Sequence, residues 1–182
     1  MRIVSGKYRG RRITAPKQLP VRPTTDMAKE ALFNILNNLY YFDDISVLDL
    51  FSGTGNISYE FASRGTENIL AVDSNYGCVK FISQTTESFD MPINTIKSDV
   101  YKFLEKSKQK HDIIFADPPY GFELKEFAKI PQLVFDNEIL NDEGLLIVEH
   151  SKHTKLNELK HFSYSKSYGG NMFSFFETKT EE

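Results

Sequence analysis

The stretch Val47-Leu-Asp-Leu-Phe-Ser-Gly-Thr-Gly55 constrains the fold of this chain more than any other. It opens with a short run of aliphatic and aromatic residues, which is typical of a strand buried on both faces. Gly53 and Gly55 then predict a turn that a ligand can approach, because glycine adopts backbone angles closed to other residues and has no side chain. Apolar residues at helical spacing between Asn56 and Arg64 complete a strand, a turn and a helix, the entrance of a nucleotide-cofactor site.

Two acids strengthen this interpretation of the glycine turn. Asp49 lies inside the apolar strand, where an ionised carboxylate is costly unless something pairs with it. Asp73 ends the next apolar run, 18 residues beyond Gly55, close to the spacing at which an acid binds ribose hydroxyls. The third glycine of the dinucleotide fingerprint is absent, because Ser58 stands in its place. The glycine pair alone fits an ordinary turn equally well, so the acids decide in favour of a cofactor.

The order of apolar runs predicts an α/β fold with a mostly parallel sheet and a C-terminal antiparallel hairpin. A first helix with Thr25 or Asp26 as its N-cap precedes the sheet, and a short helix is expected over 151–159. The glycines at 169 and 170 predict the turn of the hairpin. The predicted strands cover Val47–Phe51, Asn68–Asp73, Ile93–Lys97, the run that begins at His111, Gly144–Glu149 and the hairpin strands Phe162–Tyr168 and Met172–Glu177.

Length and composition limit the class of protein. The 182 residues suit one globular domain with a sizeable core. Cys78 is the only cysteine, which excludes an intrachain disulfide and a cysteine-based zinc site and favours a reducing, cytoplasmic setting. The four histidines show no metal-ligand spacing, and no apolar run approaches the roughly 18 residues of a membrane span. We therefore expect no metal, no membrane partner and a monomer.

Charge is distributed unevenly along the chain. The net charge is −3, yet the first 25 residues hold seven basic residues and no acid, which leaves −10 for the remainder. We predict a basic N-terminal arm or hairpin over residues 1–24 and a globular body over residues 25–182. A positive block on an acidic body favours binding to nucleic acid through phosphates, although a merely solvated arm stays an alternative. The residues expected to bind RNA are Lys7, Arg9, Arg11, Arg12 and Arg22.

Four acids follow four successive predicted strands: Asp49, Asp73, Asp99 and Asp117. Because cofactors bind outside the carboxyl ends of parallel strands, we expect all four acids to line one crevice. Any one of them could be a helix cap or a solvated loop residue.

Asp117-Pro-Pro-Tyr120 is the most specific motif in the chain. Prolines lack an N–H, so the carbonyl of Pro118 finds no local turn donor and can face outward at a rigid corner. An amino group on a planar base could donate to the Asp117 carboxylate and to this carbonyl. Tyr120 offers an aromatic face, on which stacking of a base contributes about 1–3 kcal/mol. A rigid turn with a packed tyrosine is the structural alternative.

Together, Asp49-x-Phe-x-Gly-x-Gly55 and Asp117-Pro-Pro-Tyr120 resemble the S-adenosylmethionine-dependent methyltransferases of exocyclic amino groups. The flanking segments narrow the resemblance to one family. They are residues 2–12, 22–26 and 29–34, together with Tyr168-Gly and Phe173-Ser-Phe. They are similar to the bacterial RsmD family, which methylates N2 of a guanine in small-subunit ribosomal RNA. The sequence departs from the family pattern at Met27, Asn56, Ser58 and Asp73.

The resemblance implies a Rossmann-like class I methyltransferase that uses S-adenosylmethionine and acts on ribosomal RNA, either as naked RNA or within a 30S subunit or an assembly intermediate. The glycines would approach the methionine moiety, Asp73 the ribose and Asp99 the adenine amino group. It implies that the target base is held by Asp117, Pro118, Pro119 and Tyr120. The cofactor-binding residues that it implies are Asp49, Phe51, Gly53, Gly55, Asp73, Ser74, Asp99 and Val100.

Three other functions stay open from the residues alone. A methyltransferase for adenine N6 or for a protein glutamine amide would use a related corner motif, but the basic arm favours nucleic acid. An NAD-dependent dehydrogenase lacks support, since the third glycine is missing. A non-catalytic RNA-binding domain would keep the arm without needing four acids at strand ends.

Overall fold

The computed structural model describes residues 1–178. The first helix begins after Thr25, whose hydroxyl accepts a hydrogen bond from the N–H of Ala28, so the predicted N-cap is confirmed. The helices are α1 Asp26–Asn37, α2 Asn56–Ser63, α3 Tyr76–Phe89, α4 Val100–Lys106 and α5 Leu124–Asp136. The strands are β1 Ser46–Leu50, β2 Asn68–Asp73, β3 Ile93–Lys97, β4 His111–Ala116, β5 Leu140–Ser151, β6 Phe162–Tyr168 and β7 Asn171–Phe176.

Within residues 1–178 the strands form one seven-stranded sheet in the order β3-β2-β1-β4-β5-β7-β6. The strands from β1 to β5 are parallel, and β7 runs antiparallel between β5 and β6. The predicted fold class is therefore confirmed. The strand order reverses between β1 and β4, and ligands of such sheets bind in the crevice at that point.

The sheet separates two apolar cores. Phe115 of β4 and Ile147 of β5 pack with α1 and α2 on one face, whereas Ile114 and Leu146 pack with α5 on the other. Residues in a parallel sheet alternate between the two faces, so a charged residue in β1 or β5 has to enter one of the cores.

Helix α2 is buried on every side rather than on one face as its apolar spacing predicts. The outer side is covered by the N-terminal arm, in which Arg2 and Arg12 form an antiparallel bridge. The carboxylate of Glu60 in α2 accepts hydrogen bonds of 3.0 Å from the backbone N–H groups of Val4 and Ser5. The arm thus completes the packing of the body through its main chain and through the buried side chains of Ile3, Tyr8 and Ile13.

Two local predictions differ from the structure. The expected helix over 151–159 is wrong: Ser151 is the last residue of β5, and the residues after it form turns and bends. Its side chains lack a regular apolar stripe, and its turns are closed by local bonds such as that from the N–H of Thr154 to the carbonyl of Ser151. The fifth strand begins at Leu140, before the predicted Gly144, and its pairing with β4 is irregular near His111.

Candidate active site

A cavity of about 420 Å³ opens at the carboxyl ends of β1, β2 and β4. The extended segment 20–24, which leads into α1, forms its opposite wall. Its size lies within the roughly 300–1,000 Å³ of small-molecule sites. The predicted site residues that line it are Asp49, Phe51, Gly53, Asp73, Ser74, Asp117, Pro118, Pro119, Tyr120 and Arg22.

Three residues predicted to bind the cofactor do not line this cavity: Gly55, Asp99 and Val100. Gly55 has φ +85°, and a Cβ there would lie 2.7 Å from Cζ of Tyr59, so the glycine faces the packed interior of α2. Asp99 accepts a hydrogen bond of 3.0 Å from the N–H of Lys102 and caps α4. The crevice therefore collects three of the four acids.

Asp73 organises the glycine turn through its two carboxylate oxygens. Oδ2 accepts a hydrogen bond of 2.8 Å from the N–H of Gly53, and Oδ1 accepts one of 2.8 Å from the N–H of Asn75. A carboxylate has about four lone-pair sites, so these two bonds leave room for further donors. The acid fixes the turn that it would share with a ligand.

Asp49 lies in the floor of the cavity and is almost fully buried. The hydroxyl of Ser58 donates a hydrogen bond of 2.6 Å to its Oδ2. Burial raises the pKa of Asp49 to about 7, against the opposing effect of this hydrogen bond. Ser58, which replaces the third glycine of the fingerprint, therefore has a defined role as the partner of a buried acid.

Phe51 adopts φ +55°, a left-handed conformation that is unusual for a bulky residue. Such conformations cost on the order of 1–3 kcal/mol and persist where the surroundings enforce them. The Phe51 ring packs edge-on against Tyr101 and Phe122, with centroids 6.3 and 5.8 Å apart. This packing holds the chain in a sharp bend between β1 and the glycine turn.

Asp117 differs from the other two acids because its carboxylate accepts no hydrogen bond from any residue in 1–178. Its own N–H donates to the carbonyl of Leu50 at 3.4 Å and continues the β4 ladder. Burial, and then the charge of Glu149, hold the pKa of Asp117 well above its usual range. Tyr120 is 60% exposed beside it, so its ring is accessible at the cavity mouth.

Sequence reasoning missed the residues that surround this corner: Thr24, Glu149 and Asn171. Glu149 ends the apolar run of β5 and is buried. Thr24 Oγ1 donates to its Oε2 at 2.6 Å, and Asn171 Nδ2 donates to its Oε1 at 2.7 Å. An acid inside an apolar strand, the same signal that identified Asp49, could have found Glu149. The two partners lie far from it in sequence and carry no such signal.

The side chains of Lys7, Arg9, Arg11 and Arg12 are exposed on the N-terminal arm, and Arg22 lies on the cavity rim. The guanidinium of Arg11 lies 4.9 Å from the centroid of the Phe89 ring, so it also contributes to packing. Beneath the arm, the buried ammonium of Lys29 lies 3.2 Å from the Glu60 carboxylate and donates to the carbonyl of Arg2 at 2.6 Å.

No helix within residues 1–178 is long and apolar enough to cross a membrane. Over the same residues, no group of three or more His, Cys, Asp and Glu side chains is arranged to hold a metal ion.

A family model described as conserved hypothetical protein 95 matches residues 1–177 of this chain. The chain is 31% identical over 150 residues to ribosomal RNA small subunit methyltransferase D of Escherichia coli K12, covering 82% of this chain and 74% of that relative. It is 31% identical over 157 residues to the protein of the same name from Haemophilus influenzae, covering 84% of this chain and 79% of the relative.

Solved structures share the fold. The Escherichia coli protein yhhF superposes with a TM-score of 0.85 at 25% identity, over 98% of this chain and 99% of that one. A Thermus thermophilus 16S rRNA N2 G1207 methyltransferase in complex with AdoMet and guanosine gives a TM-score of 0.67 at 20% identity, over 88% of this chain and 45% of that one. At that identity, the second likeness concerns the fold alone.

Proposed function

The chain belongs to the family described as conserved hypothetical protein 95, that of ribosomal RNA small subunit methyltransferase D, and on that premise we propose that it methylates the N2 amino group of a guanine in small-subunit ribosomal RNA with S-adenosylmethionine as methyl donor. The observation that carries the proposal is the Asp117 carboxylate, which has no hydrogen-bond donor from residues 1–178 and lies on the wall of a cavity large enough for a cofactor.

The residues of the cavity fit S-adenosylmethionine. The carboxylate of Asp73 keeps acceptor sites for the ribose hydroxyls beyond the two backbone N–H groups that it already binds. Gly53 has no side chain and φ +54°, and the position that its Cβ would take lies 3.4 Å from Val21 across the cavity. The Asp73 carboxylate lines the cavity and favours a cationic ligand.

When bound, S-adenosylmethionine supplies an electrophilic methyl group on a positively charged sulfur. Asp117 and the carbonyl of Pro118 would each accept one hydrogen of the guanine amino group, which leaves the nitrogen lone pair directed away from the ring. Held in this way, the lone pair would face the methyl group that the cofactor would supply, and the cofactor would keep the electron pair of the bond to that methyl group. Asp117, whose pKa is raised, can then take up the proton that the methylated nitrogen loses.

The remaining contribution of the protein is orientation, an effect that can reach roughly 7–11 kcal/mol. Tyr120 would stack on the target base, which has to leave its own stack at a cost of a few kcal/mol. The basic side chains of the arm would bind the RNA backbone, and the substrate would be either free RNA or a 30S particle in the cytoplasm.

The test is transfer of a tritiated methyl group to four acceptors: free small-subunit RNA, the 30S particle, adenine-containing duplex DNA and a glutamine-containing protein fragment. We expect label in the first or second acceptor and none in the others. The Asp117→Ala variant should fail to label any of them. Labelling of DNA or protein alone would contradict the proposal, and so would a lack of labelling by a wild-type protein that binds S-adenosylmethionine.

A further inference from the structure

Glu149 and Asp117 are neighbours on one face of the sheet. The last Cα pair of the parallel β4–β5 ladder joins Ala116 to Val148, so Asp117 and Glu149 follow directly on adjacent strands. Phe115 and Ile147, two residues earlier on each strand, share the core on the α1 side. Because side chains alternate along a strand and neighbouring strands are about 4.8 Å apart, the two carboxylates project side by side to that same face.

The two acids also share a recess, since Asp117, Pro118, Tyr120 and Glu149 line one small pocket beside the main cavity. Across residues 1–178, neither carboxylate has a Lys or Arg partner at salt-bridge distance. A buried carboxylate without a cation requires hydrogen-bond donors. Burial accordingly raises the pKa of Glu149, although hydrogen bonds from Thr24 and Asn171 oppose the shift.

The donors that the structure provides to Glu149 use only part of its capacity. Thr24 and Asn171 each give one hydrogen bond to a different oxygen, so about two of its four lone-pair sites remain. Asn171 also connects Glu149 to the proposed base site, because the hydroxyl of Tyr120 lies 3.5 Å from Asn171 Oδ1. The carboxylate is therefore held in a fixed orientation beside the tyrosine.

Guanine and adenine differ in the hydrogen-bonding group next to their amino group, so a pair of carboxylates can distinguish them. On guanine, the amino group at C2 is next to N1–H, so two donors lie side by side. On adenine, the amino group at C6 is next to an unprotonated N1, which is an acceptor. Consider a second carboxylate beside the one that binds the amino group. With guanine it accepts a hydrogen bond from N1–H, whereas with adenine it faces the lone pair of N1.

We propose that Glu149 selects guanine by accepting a hydrogen bond from its N1–H while Asp117 accepts one from its amino group. The inference rests on the proposed function, because it concerns the same base at the same corner. Thr24 and Asn171 are positioning residues in this account, since they orient the Glu149 carboxylate.

The experiment compares target RNA fragments that carry guanine, 2-aminopurine or 6-thioguanine at the methylated position. 2-Aminopurine keeps the amino group at C2 but lacks N1–H, whereas 6-thioguanine keeps both. We expect wild-type kcat/KM to be about 10- to 100-fold lower for 2-aminopurine than for guanine, and similar for 6-thioguanine, because the lost bond is to a charged group. In Glu149→Gln the guanine to 2-aminopurine ratio should fall by at least about 10-fold.

The guanine to 2-aminopurine ratio cancels any general loss of activity, and its comparison between wild type and variant cancels the intrinsic reactivity of the two bases. If Glu149→Gln lowers kcat/KM equally for both bases, Glu149 only holds Thr24 and Asn171, and the inference is overturned while the proposed function stands. If wild-type protein leaves the guanine fragment unmethylated, the proposed function fails and the inference fails with it. Glu158→Gln changes an exposed glutamate and should keep the wild-type ratio.

Binding of S-adenosylmethionine and the melting temperature establish whether Glu149→Gln is folded. Glu149→Asp keeps the charge but withdraws the carboxylate by one methylene, so it should also reduce the ratio. If the glutamine variant does not fold, the aspartate variant carries the same test, and an unchanged ratio in it would overturn the inference.

Discussion

The acids in the two halves of the crevice differ in the hydrogen bonds that their carboxylates accept from the protein. On the β1–β2 side, the Asp73 carboxylate already binds the N–H groups of Gly53 and Asn75, and Asp49 already binds the Ser58 hydroxyl. On the β4–β5 side, Thr24 and Asn171 donate to Glu149, but the Asp117 carboxylate has no hydrogen-bond donor from residues 1–178. A satisfied acid shapes a site before a ligand arrives, whereas an unsatisfied acid at a cavity wall needs a donor from the ligand. We infer a prebuilt cofactor half and a base half that the substrate completes.

The largest effect is expected in the base half. Asp117→Ala removes the acceptor for the amino group, and loss of one such preorganised contact typically costs about 10²–10³-fold in turnover. Single-turnover methyl transfer measures the loss, and calorimetry should show nearly unchanged affinity for S-adenosylmethionine. Asp136→Ala, an exposed acid at the end of α5, is the matched control. Equal losses of turnover and cofactor affinity in Asp117→Ala would remove the distinction between the halves.

The reciprocal change lies in the cofactor half. Asp73→Ala removes both the anchor of the Gly53 turn and the proposed ribose acceptor. Hydrogen bonds to charged groups contribute about 1.5–3 kcal/mol, so affinity for S-adenosylmethionine should fall about 10- to 150-fold. RNA affinity, measured by filter binding, should barely change. A folded variant with wild-type cofactor affinity would exclude Asp73 from the site.

A smaller effect concerns the pH dependence of stability. The folded-state pKa of Asp49 is about 7 against an ordinary 3.8, so the folded protein binds this proton more tightly than the unfolded chain. Its stabilising contribution is therefore present at low pH and is lost as the pH rises from about 4 to about 7.

Asp49→Asn should remove this dependence while keeping an acceptor for Ser58. Relative to wild type, the variant should gain about 1–3 kcal/mol in the free energy of unfolding between pH 5 and pH 8. Urea unfolding at the two pH values measures the gain, and the exposed Asp142→Asn serves as control. Parallel pH profiles for Asp49→Asn and wild type would show that Asp49 is not held protonated in the folded state.

Substitutions in the N-terminal arm should have a modest effect on the salt dependence of RNA affinity. Changing Lys7, Arg9 and Arg12 to alanine spares Arg11, which packs on Phe89. If the three cations bind phosphates, the slope of log affinity against log salt should become shallower by up to about 2, at about 0.7 per phosphate on single strands. An unchanged slope would mean that the arm is merely solvated, and binding of S-adenosylmethionine should survive in either case.

The smallest effect is expected at Asp99, where substitution should change stability rather than cofactor affinity. Its hydrogen bond to the Lys102 N–H indicates a helix cap, so Asp99→Ala should cost about 1 kcal/mol in stability. Asp99→Asn keeps a capping side chain and should be close to wild type. If both variants lose cofactor affinity to the same extent, Asp99 binds the adenine amino group, as the family resemblance implies.

Much of this architecture follows from local sequence signals. The glycine turn, the acid of β2 and the Asp-Pro-Pro-Tyr corner are contiguous motifs whose meaning depends on neighbours in the chain. The partners of Glu149 come from residues 125 positions before it and 22 positions after it, so only the folded sheet brings them together. The burial of α2 is also non-local, because the N-terminal arm covers it through backbone bonds to Glu60.

For Asp99 and Gly55, cofactor binding stays a prediction. Both stand at family-motif positions, yet a cap and a packed turn account for their contacts in the structure. Strand-end acids and glycines have structural uses at the same positions, and the sequence pattern alone does not separate these uses from ligand binding.

Identification of the methylated atom distinguishes methylation of guanine N2 from the alternative reactions. Small-subunit RNA would be incubated with the protein and S-adenosylmethionine, digested to nucleosides and analysed by tandem mass spectrometry against authentic standards. We expect N2-methylguanosine as the product with the wild-type protein and none with the Asp117→Ala variant. N6-methyladenosine, or a guanosine methylated on N1, would contradict the proposed reaction.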